Sequence, residues 1–191
     1  IALRGLAQDK DLKINEYGVF RGETQIAGRT EADVYAAVGL PLIPPELRED
    51  RGEIAAGFEG RLPRLVEARD IKGDLHVHTR ASDGKSTLEE MVEAAEALGY
   101  EYLAISDHSK HATVAHGLDA GRLSAQIDEI DRLNETRPGG LRILKSCEVD
   151  ILPNGKLDMP NAVLRRLDFV IAAIHSVFDL SAEAQTERVL R

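Results

Sequence analysis

A single cysteine, Cys147, in 191 residues excludes an internal disulfide framework. It fits a reducing compartment. Tryptophan is absent and aromatics make up only 4% of the chain, too few for a stacking platform that grips single strands. No run of 18 apolar residues occurs, so no apolar helix of membrane-spanning length is expected and no membrane partner. The longest dense apolar stretch, Phe169–Ile174, has the length of a buried strand. Positive charge is also short: the net charge is −9, with 10 basic against 13 acidic residues up to residue 70 and 14 against 20 beyond it. Neither part is a basic nucleic-acid clamp. Acidity leaves a phosphate substrate open, because bound cations reverse the local sign. There is no Gly-rich phosphate loop, no G-x-S-x-G elbow and no cysteine-nucleophile signature. No stretch resembles a signal peptide. The chain opens on Ile1 and ends at Arg191 inside a helical pattern, so a piece of a longer protein is expected.

What is present changes character near residue 70. Residues 1–40 read as mixed α/β. Ala2–Asp9 has the look of a helix tail, Leu12–Phe20 a strand pattern, and Thr24–Ala27 a strand pairing back across Arg21-Gly22. Thr30 is a good N-cap for a helix over Glu31–Gly39. Pro41, Pro44 and Pro45 break any helix. Residues 41–70 read as a linker, with a short helix around Glu53–Glu59. From Ile71 onward four β-rich stretches appear: Gly73–His78, Tyr102–Ser106, Leu141–Leu152 and Asp168–His175. Helical patterns lie between them: Ser86–Leu98, opened by a Ser86/Glu89 capping box; Asp119–Glu135, with Leu123, Ile127, Ile130 and Leu133 on one face; Asn161–Leu167; and finally Ser181–Arg191. Strand–helix alternation predicts a parallel sheet or a (β/α) barrel.

The chemistry-bearing residues collect at the ends of these strands. His76 and His78 stand two apart on a strand, so both imidazoles face one side. Two neutral imidazoles make half a metal site for Zn, Mn or Fe. His108 follows the second strand, Glu148 ends the third apolar run, and His175 ends the fourth. Asp83 lies in the loop after the first. In parallel α/β architectures active sites occupy the C-terminal strand ends. Any one of these histidines alone would read equally well as a hydrogen-bonded core residue, and Glu148 as the partner of a Lys or Arg. Three or more histidines plus two acids exceed a tetrahedral zinc site, which points to a multinuclear centre with Glu148 bridging. Two cations about 3.5–4 Å apart can clamp the attacking and leaving oxygens of a phosphoester displacement and activate a water as nucleophile. Asp107 is a candidate to orient a ligand from behind. Arg80 and Lys110 are candidates to hold substrate phosphate, or plain surface charges. Cys147 reads as a packing residue facing away. His111 and His116 sit in a polar loop and read as exposed.

These motifs resemble the PHP (polymerase and histidinol phosphatase) superfamily: His76-x-His78, Asp107-His108, Glu148 and His175, over about residues 71–191. The resemblance implies that His76, His78, Asp83, His108, Glu148 and His175 are metal ligands. It implies a distorted (β/α)7 barrel, here a partial one of about four βα units, with two or three Mn2+ or Zn2+ ions (Fe as a further option). Its later His and final Asp-x-His would fall beyond Arg191. Within the first 70 residues, Leu12–Gly18, Ile26–Gly28, Glu31–Tyr35 and Pro44–Arg48 resemble the end of the thumb of family X DNA polymerases, which implies that residues 1–40 are the end of that thumb. Together these imply the C-terminal part of a cytoplasmic, nucleoid-associated bacterial repair polymerase acting on the primer 3' end of DNA. Its PHP domain would be a metal-dependent 3'–5' exonuclease, and its Mg2+-dependent palm aspartates would lie upstream. A histidinol-phosphatase-like phosphomonoesterase, an amidohydrolase on a metal barrel and a purely structural metal-binding module are the other readings. Four strands cannot close a seven-stranded barrel, so an unpaired edge along Phe169–Ile174 is expected, as are inactivity and association of this stretch by itself.

Overall fold

A computed structural model of the chain describes residues 2–191; Ile1, the first residue of the expected thumb segment, lies outside the described residues. The chain divides into two compact units between Leu65 and Val66.

The first unit holds α1 (Ala2–Gln8), a meander of β1 (Lys13–Asn15), β2 (Gly18–Arg21) and β3 (Thr24–Ala27), then α2 (Glu31–Ala37), a 3-10 turn at Pro45–Leu47 and α3 (Glu53–Phe58). The strands pair antiparallel in chain order. The expected single strand over Leu12–Phe20 is therefore two strands. Asn15 makes the intervening turn: its Oδ1 accepts the Tyr17 N–H at 2.9 Å, the local bond that lets Asn compete with a continuing strand. Thr30 caps α2 as expected, in a reciprocal box with Asp33. The stretch 41–65, expected as a linker, is instead folded into this unit. Ile43 is buried beside Ala7, Leu12, Val19, Val38 and Leu40, and Leu47, Ile54 and Leu62 pack on the same core. Arg48 fastens it further, donating to the Ile43 carbonyl and, through both terminal nitrogens, to Glu31 at 2.8 and 2.9 Å. Proline blocks a helix here but does not prevent burial.

The second unit alternates strands and helices: β4 (Gly73–Val77), α4 (Leu88–Ala97), β5 (Tyr102–Ile105), α5 (Ala120–Thr136), β6 (Arg142–Lys145), β7 (Glu148–Asp150), α6 (Asn161–Leu164), β8 (Ile171–Ala173) and α7 (Ala182–Leu190). β4, β5 and β6 form a parallel sheet, and β7 and β8 a parallel pair. Helices α4 and α5 cover the first sheet with Leu88, Val92, Ile130 and Leu133 against Leu103, Ile105 and Ile143. This mixed α/β arrangement, with all strands of the unit parallel, agrees with the expected partial (β/α) barrel.

Two local readings need correction. The run Leu141–Leu152 is two strands, not one. After Lys145 the Asp168 carboxylate accepts the Lys145 N–H at 2.7 Å, and the Asp168 N–H returns to the Lys145 carbonyl at 2.8 Å. These bonds occupy the edge that a neighbouring strand would use. The chain then kinks through Ser146-Cys147 and resumes as β7 beside β8. The two sheets stay stitched by a parallel bridge between His108 and Glu148. The cap of α4 is Thr87 with Glu90, one residue later than expected; Thr87 accepts the Glu90 N–H and the Glu90 carboxylate accepts the Thr87 N–H. β8 is shorter and wetter than the buried strand expected over Phe169–Ile174, with Ala172 exposed. Its outer edge has no strand partner among the described residues. Arg188 of α7 is buried and donates to the carbonyls of Ile151, Ser176 and Val177, pinning the chain that follows β8.

Candidate metal centre

Parallel pairing brings the C-terminal ends of the strands to one edge of the unit. β4 delivers His76 and, one residue beyond its end, His78. The β5 exit delivers Asp107 and His108. Glu148 opens β7, and His175 follows β8 by two residues. A one-residue slip in any strand would turn these side chains to the opposite face.

Glu148 is the hub. Its Oε2 lies 3.1 Å from His76 Nε2, 3.2 Å from His78 Nε2 and 3.3 Å from His108 Nδ1, and its Oε1 lies 3.2 Å from His175 Nε2. Asp83 joins from the loop after β4, with Oδ1 2.9 Å from His78 Nδ1 and Oδ2 3.5 Å from His108 Nε2. The imidazoles pack against one another in sequence, with centroid separations of 5.1, 4.4 and 4.9 Å from His76 through His78 and His108 to His175. All six residues expected as ligands are thus brought together. They form three overlapping donor sets: His76, His78 and Glu148; His78, Asp83 and His108; His108, Glu148 and His175.

Geometry and chemistry both fit cations. Ligands about 2.1 Å from a metal stand about 3.0–3.4 Å apart along the edges of an octahedron or tetrahedron, the spacing seen around Glu148. A carboxylate oxygen cannot serve three imidazoles crowded on it with well-directed hydrogen bonds. His108 Nδ1 is buried and makes no hydrogen bond despite its closeness to Glu148; a metal would satisfy it. Burial holds the His108 imidazole below its ordinary range, against the opposing pull of Glu148, which favours the neutral form that ligates. Burial pushes the Glu148 carboxyl up, but the His76 hydrogen bond and the fields of His108 and His175 outweigh it, so the group sits below the usual carboxylate range. Asp83 behaves likewise, with burial opposed by His78 and His108 and the net shift downward.

The other expected site residues fall elsewhere. Asp107 is fully buried and touches no imidazole through its carboxylate. It accepts from the Thr79 N–H at 2.8 Å, Thr79 Oγ1 at 2.7 Å, Ser82 Oγ at 2.5 Å and Gln126 Nε2 at 2.6 Å. It therefore anchors the loop that carries Asp83. Arg80 is exposed on a groove of about 370 Å³ between α4 and α5, lined also by Arg122, Gln126 and Glu129 and by none of the six clustered residues. Lys110 is exposed. Cys147 points into the core with Leu118, Leu123 and Val149. His111 and His116 are exposed, and His111 reaches Ser176, the neighbour of His175, at 3.2 Å. Gly117 closes this loop against Ser109: a Cβ there would stand 1.8 Å from the Ser109 carbonyl oxygen. Sequence reasoning passed over Asp150, which is fully buried beside His175. The alternation Glu148-x-Asp150 on a strand was the available signal.

Comparison with known proteins identifies relatives for both parts of the chain. Residues 74–190 match the PHP domain family, and residues 1–49 match the DNA polymerase beta thumb. The chain is 46% identical over 181 residues to the DNA polymerase/3'-5' exonuclease PolX of Bacillus subtilis (strain 168), covering 94% of this chain and 31% of that protein. It is 40% identical over 122 residues to a probable phosphatase of Acetivibrio thermocellus, covering 61% of this chain and 47% of that one. A probable phosphatase of Thermoanaerobacter sp. (strain X514) is 35% identical over 107 residues, 54% of this chain and 40% of its own length. The chain spans less than half the length of each of these relatives. With its strand-end imidazoles gathered on Glu148 and this match over residues 74–190, the chain belongs to the PHP domain family, preceded by a segment of the DNA polymerase beta thumb type.

Proposed function

We propose that the chain is the C-terminal part of a bacterial family X DNA polymerase and that its PHP unit is a metal-dependent 3'–5' exonuclease. Residues 1–40 are assigned to the end of the thumb and residues 71–191 to the PHP domain. The observation that carries the reading is the convergence of four imidazoles and two carboxylates on one strand edge, behind a thumb-type segment. His76, His78, Asp83, His108, Glu148 and His175 would hold two or three Mn2+ or Zn2+ ions, with Fe as a further option. Such ions supply Lewis acidity and an activated water for phosphodiester hydrolysis. The chain's own residues hold the geometry. Glu148 is shared among donor sets, Asp107 fixes the Asp83 loop, and His111 stands beside Ser176, the neighbour of His175. The substrate is the primer 3' end of DNA, and Mg2+ serves a polymerase site elsewhere in the longer protein. The setting is the bacterial cytoplasm, at the nucleoid. No described helix is long and apolar enough to cross a membrane.

A phosphomonoesterase is the second reading, favoured by the probable phosphatases that match this unit. The test uses the full-length protein with His76→Ala plus His78→Ala, assayed on 3'-labelled DNA and on a small phosphomonoester with added Mn2+. The expected result is release of 3' nucleotides that falls more than about 100-fold, beyond the 10–100-fold of an outer-shell change, with nucleotide incorporation unchanged. Surviving exonuclease activity overturns the proposal, and activity confined to the phosphomonoester selects the second reading.

A further inference from the structure

Asp150 is a buried carboxylate with no Lys or Arg against it among the described residues. It is 0% exposed, and the imidazole of His175 is the only ion-pairing group found near it among the described residues. β7 pairs Asp150 with Ala173 of β8, which sets its carboxylate alongside the residue two positions further on, His175. Oδ1 accepts the His175 backbone N–H at 3.0 Å. Oδ2 lies 3.4 Å from His175 Nδ1 but completes no hydrogen bond and is sealed from solvent. The carboxylate itself is held by its strand: the Asp150 N–H donates to Ser109 Oγ at 3.1 Å, and the Asp150 carbonyl accepts the Asp158 N–H at 3.1 Å.

A neutral imidazole offers one N–H and one lone pair. With the proton on Nε2, Nδ1 turns its lone pair on the unsatisfied, buried Oδ2, an arrangement that burial makes costly. With the proton on Nδ1, Oδ2 gains its missing donor. Nε2 then presents its lone pair toward Glu148 Oε1, 3.2 Å away. Two lone pairs facing each other at that distance repel unless a second ring proton or a cation bound to both offsets them, and the donor set that His175 and Glu148 form with His108 suits a metal ion. Asp150 thus selects both the tautomer and the orientation of His175.

We propose that Asp150 is a positioning residue that grips the backbone N–H and Nδ1 of His175 with its two oxygens and so presents Nε2 to a divalent cation shared with Glu148. This rests on the metal-centre reading above and adds to it a residue outside the six clustered ones. Asp150→Asn is the informative change, because one amide oxygen cannot accept both N–H groups while the amide nitrogen must face one of them.

The test is a chelator-competition titration of the full-length protein with Zn2+, run as a double-mutant cycle of Asp150→Asn and His175→Ala. Asp150→Asn alone is expected to weaken Zn2+ binding about 10–100-fold, the usual effect of losing an outer partner of a ligating His. In the His175→Ala background it should add almost nothing. Unchanged affinity in the single variant overturns the proposal, and so does an undiminished effect in the double variant. Should Asp150→Asn fail to fold, nitrogen-resolved imidazole NMR of the unsubstituted Zn2+-loaded protein decides. His175, identified by its loss in His175→Ala, is expected to carry its proton on Nδ1, and a proton on Nε2 overturns the proposal. Absence of Zn2+ binding by the unsubstituted protein would instead sink the metal-centre reading itself.

Discussion

Glu148 and Cys147 are neighbours with opposite fates: Glu148 opens β7 on the imidazole side, while Cys147, in the kink before it, packs into the core with Val149. Glu148 faces four imidazoles and stays ionised because they outweigh its burial. Cys147 faces the core, and its thiol donates only to the Asp107 carbonyl, at 3.2 Å. Burial pushes that thiol up to about 12, with Asp158, Asp107 and Glu148 adding to the shift. At pH 8 it is therefore protonated, and the thiolate that reacts with alkylating reagents is scarce. Cys147 should resist iodoacetamide at pH 8 in the native protein and become labelled on unfolding in urea, followed by mass spectrometry. Rapid native labelling would show that the residue is not buried as described.

At the scale of elements, the start of α4 shows how near-degenerate a local signal can be. The run Ser86-Thr87-Leu88-Glu89-Glu90 spells two overlapping capping boxes. Thr87 takes the role, because its side chain accepts the Glu90 N–H and Leu88 becomes the first buried residue of the helix. Ser86 instead uses its carbonyl to accept the Arg80 N–H at 2.8 Å, closing the loop after β4. Thr87→Ala should therefore cost about 1 kcal/mol, while Ser86→Ala should stay within about 0.5 kcal/mol. Urea unfolding of the two variants checks this, and equal losses would place the cap elsewhere. Helix α5 posed no such ambiguity. Leu123, Ile127, Ile130 and Leu133 are all buried, as their spacing requires, and Asp119 caps the first turn through the Arg122 N–H.

For the molecule as a whole, the relevant fact is two units with separate cores. Ile43 belongs to the core of the first and Ile143 to that of the second. Each is essentially unexposed, so truncation to Ala should cost about 2–5 kcal/mol at either place. The functional consequences should differ. Ile143→Ala loosens the sheet whose strand ends carry the candidate ligands and should lower Zn2+ content, measured by elemental analysis at 37 °C. Ile43→Ala should leave Zn2+ content unchanged while lowering the unfolding transition of the first unit in calorimetry. Equal loss of Zn2+ in both variants would contradict independent cores.

Much of this was legible in the chain itself. The His76-x-His78 pair, the strand-terminal His108 and His175, and Glu148 in an apolar run point to a candidate metal site through periodicity and the cost of burying charge. The parallel α/β class followed from alternation. The failures share a cause: they depend on contacts between residues far apart in sequence. The break between β6 and β7 comes from Asp168, 23 positions beyond Lys145. The fate of residues 41–65 depended on whether Ile43, Ile54 and Leu62 found a core to join, which proline content does not report. Asp107 reads as a neighbour of His108 along the chain but anchors a loop 25–28 residues back toward the N-terminus, at Thr79 and Ser82, just before Asp83. The sequence by itself determined the candidate ligand types and the common face of His76 and His78, because strand periods are local. Only the tertiary structure decided which oxygen meets which nitrogen, and that Asp150 stands behind His175, because the register between β7 and β8 is settled by packing rather than by either strand alone.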